Sequence, residues 1–148
     1  MGLTSSGEDL TARFDEGFDL DFLFFWHPKS ATQKPLGPFV LSQWYERSFV
    51  HEGSLYRSAE HLMMVKKAEL FGDLETAEQI SAAVTPREAK ALGRQVRNFD
   101  ERLWLQHRSE IVEEVSLAKF GSGNDLTEYL LSTGDQVLVE ASPHDQVW

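Results

Sequence analysis

Through the second two-thirds of the chain, apolar residues recur every three or four positions, the spacing of helices with one buried face. Leu103, Trp104, His107, Ile111, Val115 and Ala118 make the longest such stripe; Asp100 is placed to cap it and Gly121-Ser122-Gly123 to stop it. Leu74, Ala77 and Ile80 make a shorter one behind Asp73, and Leu126, Tyr129 and Leu130 another behind Asn124 or Asp125, ending at Thr133-Gly134. Thr85-Pro86-Arg87-Glu88 combines an N-cap threonine, a proline at the first helical position and a glutamate at the third, which predicts a helix to about Val96. Ser58 caps a further helix that should end near Phe71-Gly72, with the glycine in a left-handed position.

Elsewhere the pattern changes to short apolar runs. Asp21 to Trp26 reads as a strand broken by His27-Pro28, Phe39 to Leu41 as a resumed strand, and Val137 to Ala141 as a buried strand. Phe49-Val50-His51 and Ser54-Leu55-Tyr56 flank Glu52-Gly53, which predicts a tight hairpin. Ser30 to Pro38, with two prolines and a glycine, is a loop. Residues 1–19 are polar and acidic, and are expected to form a mobile or loosely packed leader. The remainder, 20–148, contains no repeat or low-complexity linker, so the expected fold is α+β, one mainly helical domain with a few short strands.

Composition narrows the function classes. A chain of 148 residues with 41% apolar content, ten Phe and four Trp is one domain's worth of core. No apolar run approaches the roughly 18 residues of a membrane span, and the N-terminus lacks a signal peptide's regions, so no membrane partner and a cytoplasmic location are expected. Zero cysteines exclude disulfides, zinc–cysteine sites and thiol nucleophiles. The five histidines lack ligand spacing, so neither metal nor cofactor is expected. A net charge of −10 argues against coating a long phosphate track. The basic strip Arg87, Lys90, Arg94 and Arg97 reads either as a solvated helix face or as a local guide for a phosphorylated ligand.

The stretch from Leu55 to Ala68 carries the candidate chemistry. Glu60 falls in the first turn of its helix and Lys67 seven residues later, about two turns at roughly 3.6 residues per turn, so both leave one face with Met63 and Met64 between them. That face is either a solvated edge bearing two unrelated charges or the wall of a site. Lys66 leaves a different face and is the internal control. His61, about 100° around the helix from Glu60, is expected to pack or hydrogen-bond structurally.

Leu41-Ser42-Gln43-Trp44-Tyr45, Gly53, Tyr56-Arg57-Ser58-Ala59-Glu60-His61 and Lys67-Ala68 resemble the signature of the NADAR family, the YbiA-like N-glycosidases. Trp104, Arg108, Lys119-Phe120, Thr133-Gly134-Asp135 and Leu138 through Trp148 extend the likeness, in order, over roughly residues 22–148. Gln43-Trp44 stands where the family usually has Asn-Phe. Family members usually continue past the Asp-x-x-Trp element, whereas this sequence ends at Trp148; the domain is therefore expected to lack a C-terminal segment.

The resemblance implies hydrolysis of an N-glycosidic bond to a ribosyl group, with Glu60, Lys67, Trp104 and Asp145 as the functional set. Glu60 would orient or activate a ribose hydroxyl, Lys67 would form a Schiff base with the opened sugar, and Trp104 would stack on the base. Without the resemblance, Trp104 reads as core and Asp145 as a turn residue. Tyr56, Arg57, Trp44 and Trp148 are candidate lining residues, with Arg57 able to bind phosphate. Family substrates imply two partners: ADP-ribose on guanine, in nucleoside, DNA or RNA, which we favour, and phosphoribosylated aminopyrimidine intermediates of riboflavin synthesis. The competing class is a non-catalytic module that binds ADP-ribose or a nucleotide.

Overall fold

The computed structural model describes residues 7–26, 32 and 34–142. Its centre is helix α2 (Ala59–Leu70), which packs against α3 (Leu74–Ala82), α4 (Pro86–Gly93) and the long α5 (Glu101–Phe120). Each starts where a capping side chain meets an orphan amide: Ser58 Oγ accepts from His61 N, Asp73 from Thr76 N, Thr85 from Glu88 N and Asp100 from Leu103 N. A last helix, α6 (Asp125–Ser132), is capped by Asn124. These ends fall where the sequence predicts them, because capping is a local preference that needs no tertiary context. Only α4 is shorter than expected, stopping at Gly93.

The strands form two small sheets. β2 (Phe49–His51) and β3 (Ser54–Tyr56) make the predicted hairpin, with Glu52 at φ 49° and Gly53 at φ 80°, two left-handed residues in succession as the tightest hairpin turns require. β1 (Phe22–Phe25) runs parallel to β4 (Val137–Glu140) in the register Phe22–Val137 to Phe25–Glu140. β4 is half-buried along most of its length and leaves Leu138 38% exposed, so the buried strand expected there is an edge with one covered face.

One further segment departs from expectation. Residues 38–41 form a single 3₁₀ turn instead of a strand, since Pro38 at its start fixes φ near the helical value. In the polar leader, Gly7–Asp15 form a helix, α1, exposed at nearly every position; Glu8 and Asp9 in its first turn and Arg13 in its last complement the macrodipole.

Two apolar clusters meet on α2 and a third lies beside the 3₁₀ turn. Met64, Val65, Ala68, Phe71, Ile80 and Ala89 join α2 to α3 and α4; Phe49, Leu62, Ile111 and Val115 join it to α5 and the hairpin; Phe39, Val40, Tyr45 and Leu126 join the 3₁₀ turn to α6. Helix α4 approaches α2 through Gly93, where an added Cβ would stand 2.2 Å from Met64 Sδ and 3.3 Å from Met64 Cβ. Gly93→Ala should therefore destabilise the protein by about 1–3 kcal/mol through overpacking, although alanine is the better helix former. Urea unfolding measures this; a stability equal to or above wild type would show that the two helices have room to separate.

Candidate active-site cleft

Four parts of the fold converge on one cleft of about 430 Å³. The ends of the parallel strands supply Phe25, Leu138 and Glu140; the 3₁₀ turn and the residues after it supply Leu41, Gln43 and Trp44. Helices α2 and α4 supply Glu60, Met63 and Lys90, and α5 supplies Trp104, Arg108 and Val112. A cavity of this size matches a nucleoside-scale ligand, and two indoles with two cations and two carboxylates give it stacking faces and both signs of charge.

Glu60, 2% exposed, sits in the first turn of α2 where the helix dipole favours a carboxylate. Its backbone N–H donates to Gln43 O at 3.0 Å, tying the helix start to the Trp44 segment. The cap beneath is closed by His61, as its structural reading predicts. Nε2–H donates to Ala83 O at 3.2 Å, while Nδ1 and Ser58 Oγ are 2.7 Å apart, so the imidazole is neutral with Nδ1 accepting the serine proton. Burial pushes the His61 pKa below its ordinary value.

The two adjacent lysines have opposite environments. Lys67 is half-buried: its amine donates to Gly93 O at 2.8 Å and lies 4.5 Å from the centroid of Phe99 and 5.6 Å from that of Trp104. Burial lowers its pKa; the Glu60 carboxylate opposes this and the Arg94 charge adds to it. Lys66 is also partly buried, but Glu114 Oε1 at 2.8 Å and Glu52 Oε2 at 3.4 Å more than offset that burial and raise its pKa. Lys66 also explains why His51, Glu52 and Glu114, whose ligand atoms lie within 4.8 Å of one another, already have a cation among them.

The structure therefore brings Glu60, Trp104 and Trp44 together on the cleft and puts the Lys67 amine beside the indole of Trp104, outside the lining set. Tyr56 is elsewhere: it packs in the core with its ring 6.2 Å from Phe49. Arg57 is exposed, donating to Val84 O at 3.5 Å. Asp145 and Trp148 lie outside the described residues. Of the basic strip, Lys90 alone lines the cleft, its Nζ 5.7 Å from the Trp44 ring. Arg97 is held by Asp73 Oδ1 at 2.6 Å and Glu75 at 3.0 Å, and the guanidinium with its backbone N–H keeps the Asp73 carboxyl well below the usual range.

Gln43, Met63, Arg108, Val112 and Glu140 reach the cleft without having been singled out as site residues. Arg108 is one helical turn from Trp104 and Val112 one turn further, so helical spacing from Trp104 finds both. Glu140 carries no such signal: it reaches the cleft through the β1–β4 pairing, which joins residues 115 positions apart.

This is an α+β protein with a buried carboxylate beside stacking indoles. A family model described as the NADAR domain matches residues 24–148, and the chain belongs to that family. It is 38% identical to "N-glycosidase R617" of Acanthamoeba polyphaga mimivirus over 135 residues, covering 88% of this chain and 78% of that protein. It is 37% identical to "N-glycosidase Npun_R5314" of Nostoc punctiforme over 97 residues, covering 66% and 62%. The chain thus spans less than two-thirds of the Nostoc protein. The NMR structure of the Escherichia coli protein YbiA has the same fold, with a TM-score of 0.70 at 21% identity, covering 88% of this chain and 73% of that one.

The His61 network predicts a pH dependence. Because the folded pKa is depressed, the unfolded chain binds the proton first, and stability is lost as pH falls below about 6.5, the value in the unfolded chain. Wild-type unfolding midpoints measured from pH 7.5 down to 5 should fall more steeply than those of His61→Gln. Parallel curves would mean that the imidazole titrates alike in both states.

Proposed function

We propose that this chain is an N-glycosidase that hydrolyses the C–N bond between a ribosyl group and a base, with ADP-ribose on guanine as the favoured substrate. The observation that carries the reading is Glu60: a carboxylate 2% exposed, on a cleft flanked by Trp44 and Trp104. Buried carboxylates are uncommon unless they have a task, and an anomeric centre developing positive charge supplies one. The names of the mimiviral and Nostoc relatives support the same activity.

In this reading the base stacks on Trp104 and Trp44, and the diphosphate meets Lys90 and Arg108. Glu60 holds a ribose hydroxyl and stabilises the charge that builds at C1′. The Lys67 amine, whose proton is loosened by burial, leaves Gly93 O and attacks C1′. The C1′–N bond to guanine breaks and the base departs with the proton shed by the attacking amine; the ring oxygen takes the proton that Lys67 gave up before attack and is released as a hydroxyl, leaving an iminium on Lys67. Water adds to C1′, the amine leaves, and free ADP-ribose closes. Asp145, a few residues beyond Glu140 in sequence, is the second acid that the family resemblance supplies.

The second substrate reading, a phosphoribosylated aminopyrimidine, draws on a relative named "Riboflavin biosynthesis protein VVA0006" from Vibrio vulnificus, 29% identical over 108 residues, which span 29% of that protein. The same cations would serve its single phosphate. Borohydride added during turnover of ADP-ribosylated guanosine tests the scheme. Reduction should fix the sugar on Lys67, read by peptide mass mapping, and Lys67→Ala should release base at least about a hundredfold more slowly, the range for loss of a covalent catalyst. Base release without any lysine adduct would replace the amine route by direct water attack, and binding with neither would make the protein a non-catalytic nucleotide-binding module.

A further inference from the structure

Lys119, in the last turn of α5, is only 1% exposed. Its ammonium donates to Val40 O at 2.6 Å and to Ser42 O at 2.8 Å, with the rings of Phe120 and Tyr45 4.8 Å and 5.9 Å away. Burial pushes its pKa down to about 7. A lysine so deep is uncommon, and the two carbonyls are its compensation for lost water.

Those carbonyls belong to the segment that makes one side of the cleft. Leu41, Gln43 and Trp44 line it; Trp44 N donates to Ser42 Oγ at 3.2 Å, and Tyr45 N to Ser42 O at 3.1 Å. Trp44 is thus suspended from Ser42, and Ser42 from Lys119. The opposite side comes from the same helix as the lysine: Arg108 precedes Lys119 by eleven residues, about 16 Å along the axis at roughly 1.5 Å per residue. One rod therefore presents Trp104, Arg108 and Val112 at one end and grips the facing backbone at the other.

We propose that Lys119 is a positioning residue: by holding the Val40 and Ser42 carbonyls, it sets the separation between the Trp44 and Trp104 sides of the cleft and so how tightly a base is gripped between them. Its kinetic consequence rests on the cleft being the base-binding site, but its geometric consequence does not. Glu60 and Lys67 stand on α2, whose start keeps the Ser58 cap alongside the bond from the Glu60 amide to Gln43 O, so the effect falls on substrate grip more than on chemistry.

The test uses the full chain labelled with 5-fluorotryptophan, the Trp44 signal being assigned by its absence in Trp44→Phe. In Lys119→Met the Trp44 resonance should move or broaden while that of Trp26 holds. KM for ADP-ribosylated guanosine should rise about tenfold, the order of one weakened base stack, with kcat within about threefold. Lys119→Arg, which keeps the charge and the donors on a bulkier head, should do the same to a smaller degree, and it decides the matter if the methionine variant does not fold. A folded variant at 119 with the Trp44 resonance and KM of wild type overturns the proposal. If wild type turns over no N-ribosyl substrate, the functional reading fails while the fluorine spectrum still judges the clamp.

Discussion

Irregular backbone cannot be buried unless its carbonyls find donors, and the cleft depends on how that demand is met between residues 39 and 45. Val40, Leu41, Ser42 and Tyr45 are all buried there, in a stretch with neither helix nor strand hydrogen bonds to satisfy it beyond one 3₁₀ turn. Lys119 takes the carbonyls of Val40 and Ser42, and the first turn of α2 takes that of Gln43 through the Glu60 amide. An orphaned buried carbonyl costs about 1–3 kcal/mol, so these bonds, with the one from Tyr45 N that Ser42 O also accepts, favour the segment lying against the core. The groups that meet the demand come from α2 and α5, which pack against each other and both line the cleft.

Helix α2 then separates charges by face. Its start is electropositive backbone, held by Ser58 and a neutral His61, and Glu60 stands over it. Two turns on, Lys66 points to Glu52 and Glu114 and keeps its proton more firmly than a free lysine, while Lys67 points into the apolar side, among Phe99, Trp104 and the Gly93 carbonyl, and holds it less firmly. Adjacent residues of identical chemistry acquire different reactivity from about 100° of helix rotation. A net charge of −10 argues against binding along long phosphate tracts, while Lys90 and Arg108 place positive charge on the cleft.

Much of this was legible in the sequence because it is local. Caps at Ser58, Asp73, Thr85, Asp100 and Asn124, the Glu52-Gly53 turn and the α5 stripe all follow from neighbours a few residues apart. Glu60, Trp104 and Trp44, all candidates from the sequence, line the cleft. What the sequence does not show is non-local. Tyr56 follows the hairpin into the core beside Phe49, and Arg57, one residue on, faces solvent, because the chain turns there into the Ser58 cap. Lys119 looks like an ordinary C-terminal helix lysine suited to the dipole; its partners lie 77 and 79 residues earlier, and only the packed fold brings them within reach. Glu140 is likewise placed by strand pairing alone.

In the proposed function these parts meet at one point: a buried carboxylate at the start of α2 acts on a ribosyl group whose base is stacked between the indoles. Single-turnover release of free base from ADP-ribosylated guanosine, compared between wild type and the near-isosteric Glu60→Gln, tests it most directly. A fall of at least about a hundredfold is expected in the variant, about 2.7 kcal/mol of lost transition-state stabilisation, with substrate binding retained within about threefold. Equal rates in a folded variant would contradict it.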